Sequence, residues 1–114
     1  CICRAGAGVN HIPLSMATEK GVVVFNTPGG NANAVKELVI CGLLLSSRGI
    51  IQGHKFTQNI EESNSNDVTK LVESNKKTFK GSELKGKTIG IIGLGSIGSL
   101  LAQSVESMGM KIIG

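Results

Sequence analysis

The stretch that most limits what this chain can fold into is residues 87–98, Lys-Thr-Ile-Gly-Ile-Ile-Gly-Leu-Gly-Ser-Ile-Gly. A short apolar run opens there into Gly93-x-Gly95-x-x-Gly98. Residues 99–108 then alternate in helical fashion, and after Gly109 a second apolar run occupies 110–114. Ile89, Ile91 and Ile92 are β-branched, and an apolar run without alternation predicts a strand covered on both faces, as in a parallel sheet. From Ile97 the apolar positions Leu100, Leu101, Val105 and Met108 lie near one face of a helix. Strand, glycine turn, helix and strand together read as most of the first βαβ unit of a Rossmann-type, doubly wound parallel sheet, with only its N-terminal part present.

Each glycine of the motif answers a different demand. Gly93 permits the tight turn out of the strand, Gly95 removes the Cβ that would keep the backbone from a pyrophosphate, and Gly98 lets helix and strand pack closely. Ser96 and Ile97 open the helix, whose unpaired N–H groups and positive dipole end suit phosphates. Gly93, Gly95, Ser96, Ile97 and Gly98 are therefore the candidate cofactor-binding residues. The acidic residue that holds the cofactor ribose lies roughly 20 residues past the first glycine in such units. Counted from Gly93 it falls at or just beyond Gly114, so the motif leaves NAD and NADP both open.

The preceding 86 residues divide into three pieces. Residues 1–30 alternate strands and turns. A strand end at 1–5 leads into the small-residue loop Gly6-Ala-Gly8-Val-Asn10-His11, a short helix over 14–20 closes at Gly21, and Val22–Phe25 forms a strand ending in the turn at 26–30. Residues 31–52 predict one long helix, capped by Asn31 or Asn33, apolar all round and hence buried all round. Residues 53–82 are expected to form an exposed polar loop or insertion, with one helical turn near 68–72. Residues 83–114 hold the dinucleotide unit. The loop at 6–11 and the turn at 26–31 fall at carboxyl ends of strands, where open α/β sheets bind ligands.

Charge and cysteines narrow the function classes. The net charge of +4 comes largely from Lys76, Lys77, Lys80, Lys85 and Lys87. These lack the interleaved aromatics of single-strand binders, so a solvated face is expected and no nucleic-acid partner. Cys1, Cys3 and Cys41 form no CxxC pair and have no His at ligand spacing, so no metal site is expected. Cys41, inside an apolar run, reads as a buried thiol. No apolar run of 18 residues is present, and a soluble cytoplasmic setting without a membrane partner is expected. The chain begins at Cys1 and breaks off inside a strand, which suggests an internal fragment of a longer protein.

Three segments occur in one order: Arg4-Ala-Gly-Ala-Gly8-Val-Asn-His-Ile-Pro13, Asn26-Thr-Pro28-Gly-Gly-Asn31-Ala-Asn33-Ala-Val35-Lys-Glu37-Leu38, and Gly93-Leu-Gly-Ser-Ile-Gly98. This succession resembles the D-isomer-specific 2-hydroxyacid dehydrogenases, over nearly the whole chain except the polar stretch 54–77. The resemblance implies a flavodoxin-like substrate domain ending in this chain, NAD as cofactor, a phosphorylated 2-hydroxy or 2-keto acid as substrate, and a homo-oligomer. It implies that Ala7 and Gly8 lie at the domain cleft and that Asn31 contacts substrate, although Asn31 as a plain helix cap stays open. Asn10 and His11 stand where Asp-Asn is usual, and Ser96 where Arg is common. His11 is expected to fill a loop, and His54 to be exposed. The family's catalytic arginine, glutamate and histidine follow the glycine motif, so no catalytic residue is expected within 1–114. Other family members with a different substrate pocket, or a non-enzymatic NAD-binding scaffold of the same fold, remain alternatives.

Overall fold

A computed structural model describes residues 1–60 and 65–114. Their order is β1 (Ile2–Cys3), α1 (Leu14–Glu19), β2 (Val24–Phe25), α2 (Ala32–Ser47), α3 (Ile50–Gln58), α4 (Ser65–Asn75), a 3-10 turn (Lys76–Phe79), β3 (Thr88–Gly90), α5 (Ser96–Ser107) and β4 (Lys111–Ile113). Both pairs of strands are parallel. Ile2 stands opposite Val24 in the first, and Ile89 opposite Ile112 in the second. Parallel neighbours need a crossover, and here α1 and α5 supply one each. The architecture is α/β with two small parallel sheets.

The radius of gyration is 22.1 Å and the extents are 71 × 36 × 16 Å, whereas a compact domain of this size would have a radius near ~13 Å. The chain is thus a string of packed pieces rather than one ball. Its main core lies in the last piece, where Leu84, Ile91, Leu101, Val105 and Met110 are buried. Val39, Ile40 and Leu43 of α2 pack against them. Leu101 and Val105 sit one helical turn apart on α5, so a single face of that helix meets both the strand and α2. Gly109 then ends α5, and Lys111 N–H donates to the Lys87 carbonyl at 2.8 Å to begin the second strand pair.

Several expectations need correction. The long helix does not run to residue 52. It stops at Ser47, because Arg48 is extended at φ −121° and ψ 144°. The Gly49 N–H turns to the Phe79 carbonyl at 3.2 Å, and the Ser82 N–H bonds the Ser47 carbonyl at 2.8 Å. These two bonds close a stem from which the segment between leaves and returns. That segment was expected to be a loop over 53–82, yet it holds α3, α4 and the 3-10 turn. Phe56 and Phe79 stack at 5.3 Å between ring centroids, an apolar contact that polar composition concealed. Residues 61–64 of the polar stretch lie outside the described residues.

Burial of α2 is also less than its composition suggested. Only Ala32 is buried, Leu38 is 72% exposed, and Cys41 is exposed rather than a core thiol. One face of α2 packs on α5, and among the described residues nothing covers the other. The strand at 88–90 is likewise covered from one side. Ile91 is buried while Ile92 is fully exposed. His54 is exposed, as expected.

Candidate functional site

Three segments distant in sequence converge on one cleft of about 330 Å³, lined by Ala7, Pro28, Gly29, Asn31, Gly93, Gly95, Ser96, Ile97 and Gly98. The first wall is the loop after β1. The second is the turn after β2 as it enters α2, and the third is the glycine turn entering α5. The carboxyl ends of both strand pairs therefore open on the same space, as ligand sites in α/β sheets do. Seven of the eight residues singled out from sequence line it. Gly8 does not, although it adjoins Ala7 in the same loop.

Gly93 and Gly98 meet structural demands of the turn and of the helix–strand contact. Gly93 has φ +91°, a left-handed conformation that side chains with a Cβ rarely adopt. A Cβ placed on Gly98 would lie against the Gly93 carbonyl, 3.1 Å from its carbon and 3.4 Å from Ile91 Cγ2, so helix and strand touch through bare backbone there. Gly95 differs from both. Its φ of −74° suits any residue, and a Cβ built on it meets nothing within 4 Å. The backbone at 95 does not require glycine, and Gly95 lines the cleft. Gly95 also caps α5 without any side-chain bond, leaving the first N–H groups of a 12-residue helix with no acceptor among the described residues.

Across the cleft, Gly29 approaches the start of α5 so closely that a Cβ on it would stand 3.3 Å from Ser96 Oγ. The small Ser96, where the resemblance led one to expect a longer cation, permits that approach. Asn31 occupies the N-cap position of α2, but its side chain makes no capping hydrogen bond. It is exposed, and its amide has no partner among the described residues. Asn33, the other capping candidate, is engaged along the helix: its Nδ2 donates to Glu37 Oε1 at 2.8 Å, and its Oδ1 accepts from Lys36 Nζ at 2.5 Å.

Sequence reasoning passed over Arg4, Asn26 and Thr27, which organise the first wall. Arg4 Nη1 donates to the Ala5 carbonyl at 3.3 Å and its Nε to the Gly8 carbonyl at 3.2 Å. Thr27 Oγ1 donates to the Arg4 carbonyl at 3.1 Å, and Asn26 Nδ2 reaches 19 residues back to the Ala7 carbonyl at 3.0 Å. The signal available was a glycine-rich loop that needed donors, beside a turn rich in them. His11 is exposed and lies outside the cleft lining. Among the described residues no group of three or more His, Cys, Asp or Glu could hold a metal, and no helix is long and apolar enough to cross a membrane.

The family model of the D-isomer specific 2-hydroxyacid dehydrogenase catalytic domain matches residues 1–111. The chain belongs to that family. It is 41% identical over 112 residues to the D-3-phosphoglycerate dehydrogenase of Homo sapiens, which covers 97% of this chain and 19% of that protein. It is 40% identical to the hydroxypyruvate reductase of Thermotoga maritima, covering 98% and 33%. A crystal structure of NAD+-bound 3-phosphoglycerate dehydrogenase from Entamoeba histolytica superposes with a TM-score of 0.68 at 34% identity, over 97% of this chain and 28% of the other. The chain thus spans about a fifth of the length of the curated phosphoglycerate dehydrogenases it matches.

Proposed function

We propose that this chain carries the substrate cleft and the dinucleotide turn of an NAD-dependent D-2-hydroxyacid dehydrogenase. Its substrate pair is 3-phosphoglycerate and 3-phosphohydroxypyruvate, which places the reaction in L-serine biosynthesis. The observation that carries this reading is the convergence of Ala7, Asn31 and the 93–98 turn on one cleft. The 41% identity to phosphoglycerate dehydrogenase supports the substrate. In this reading residues 1–30 end a flavodoxin-like substrate domain, 31–52 lead out of it, 53–82 are an insertion, and 83–114 open the NAD-binding domain. The protein works in the cytoplasm, as a homo-oligomer.

The residues fit the cofactor. The open cradle at Gly95 admits a pyrophosphate to the backbone, and the uncapped N–H groups of α5 face it with a positive dipole end. Ser96 and Ile97 line that position. Bound NAD supplies the hydride acceptor for C2 of the hydroxyacid. Asn31 offers a free amide that donates to a carboxylate or accepts from a hydroxyl. Ala7 and Gly8 support the same role from the opposite wall, because no acceptor among the described residues meets their N–H groups. The proton-transferring histidine, the carboxylate that orients it and the substrate-binding arginine belong to sequence after the glycine motif. The part proposed for residues 1–114 is binding.

The similar identity to a hydroxypyruvate reductase favours a second reading in which the substrate is unphosphorylated. Steady-state kinetics of the intact protein with 3-phosphohydroxypyruvate, hydroxypyruvate and pyruvate separate the two. A kcat/KM highest for the phosphorylated acid supports the first reading, and a preference for hydroxypyruvate supports the second. No turnover of any of them, with NAD still bound, would leave a non-enzymatic scaffold. Asn31→Ala should raise KM by about 10- to 150-fold, the loss of one charge-assisted bond of ~1.5–3 kcal/mol, and leave Tm unchanged because the side chain caps nothing. A fall in Tm at constant KM would restore the helix-cap role.

A further inference from the structure

The first wall of the cleft has an asymmetry that its sequence conceals. All five carbonyls from Arg4 to Gly8 accept hydrogen bonds. Thr27 Oγ1 serves Arg4, the Arg4 guanidinium serves Ala5 and Gly8, the Thr27 N–H serves Gly6 at 3.0 Å, and Asn26 Nδ2 serves Ala7. Of the N–H groups from Ala5 to Val9, only that of Gly6 meets an acceptor among the described residues. Glycine-rich backbone left to itself would rotate its peptide groups freely. Here donors hold every carbonyl, and the free polar groups of the loop are donors.

We propose that Asn26 is the positioning residue of this wall: by holding the Ala7 carbonyl, it fixes the Ala7–Gly8 peptide so that its N–H is presented to the anionic end of the substrate. The inference deepens the dehydrogenase reading above and rests on it. Asn26 is singled out because the carbonyls held by Thr27 and by the Arg4 guanidinium belong to Arg4, Ala5, Gly6 and Gly8, none of which lines the cleft. Asn26 alone crosses from the turn after β2 to the one carbonyl whose residue lines the cleft. A side-chain amide suits the task, since its NH2 holds the carbonyl while its oxygen stays free to orient the group. Asn26 bonds the loop and does not itself line the cleft.

The test compares intact wild-type protein with Asn26→Leu, which keeps the size and removes the donor, and Asn26→Gln, which keeps the donor on a longer arm. The expected result for Asn26→Leu is a rise of about tenfold in KM for 3-phosphohydroxypyruvate, from one lost bond's worth of order in the loop. NAD affinity and Tm should stay near wild type, and Asn26→Gln should recover part of the KM. Equal KM in wild type and Asn26→Leu, or a parallel loss of NAD affinity, would overturn the proposal. Backbone amide resonances of Ala7 and Gly8 during titration with 3-phosphoglycerate give a readout independent of turnover. They should move in wild type and move less in Asn26→Leu. If wild type turns over none of the 2-oxo acids, the dehydrogenase reading fails. The amide titration then still decides the positioning role, and resonances that respond alike in both proteins, or in neither, refute it.

Discussion

Gly95 and Gly98 look equivalent in the motif, yet the structure predicts opposite consequences for replacing them with alanine. At 98 the new methyl would enter the backbone of Gly93, so α5 must back away from the strand. Overpacking of this kind costs about 1–3 kcal/mol. For a domain near this size each kcal/mol lowers Tm by about 4–8 °C, so Gly98→Ala should melt at least several degrees early. At 95 the methyl meets nothing within 4 Å, and the φ of −74° is ordinary. Exchanging glycine for alanine at an N-cap costs about 0.5–1 kcal/mol, so the loss of Tm should be the smaller of the two. In the proposed dehydrogenase reading the same methyl would stand where the NAD pyrophosphate approaches. Losing about one charge-assisted bond, ~1.5–3 kcal/mol, raises the NAD dissociation constant by about 10- to 150-fold. Thermal melts of the apo proteins and calorimetric NAD titrations separate the two effects. If Gly95→Ala melted as early as Gly98→Ala and bound NAD like wild type, the division of labour argued here would be wrong.

Two further substitutions probe the fold away from the cleft. Gly81 has φ +60°, and a Cβ there would press on the Ser47 carbonyl and lie 2.7 Å from Arg48 Cα. Gly81→Ala should therefore open the stem, exposing residues 50–79 to limited proteolysis with NAD affinity retained; unchanged protection would remove the stem's importance. Val105 of α5 is completely buried in the core that Ile91 and residues of α2 share with that helix. Val105→Ala should cost about 2–3 kcal/mol by lost burial and a residual cavity, seen as a lower urea midpoint at constant slope.

Local chemistry made the last piece of the chain legible. The glycine turn, α5 and the strand on either side follow from the spacing of glycines and apolar residues, because those signals report contacts made within about 25 residues of sequence. Where the deciding contact was long-range, sequence failed. The end of α2 depends on Phe79 and Ser82 reaching back to Gly49 and Ser47, which no window around residue 48 contains. The helix at 65–75 sits in a polar stretch whose composition favours a loop, but its amphipathic positions Val68, Leu71 and Val72 still repeat at helical spacing. Burial of α2 was overestimated for a related reason. Hydrophobicity says that a face avoids water, not that a partner for it lies in the same segment, and Leu38 and Cys41 find none among the described residues.

The helix α2 does more than connect the two sides of the cleft. Its N-cap, Asn31, lines the cleft, and two to three turns later Val39, Ile40 and Leu43 pack against the core that carries α5 and the 93–98 turn. A helix is stiff over 16 residues, about 24 Å. The position of Asn31 relative to the Gly95 cradle is therefore set by how α2 packs on α5, not by the loops that line the space. Close-packed side chains there permit a few discrete arrangements rather than continuous sliding. The near contact of Gly29 with Ser96 is one of those arrangements, in which the two walls meet. Enlarging a small residue of α5 that packs against this core, Ala102→Leu, should tilt the walls apart without touching either. KM should then rise with NAD affinity kept, because the cradle moves with α5 as one body. Loss of NAD affinity alone would show that the cradle, and not the span across the cleft, depends on this packing.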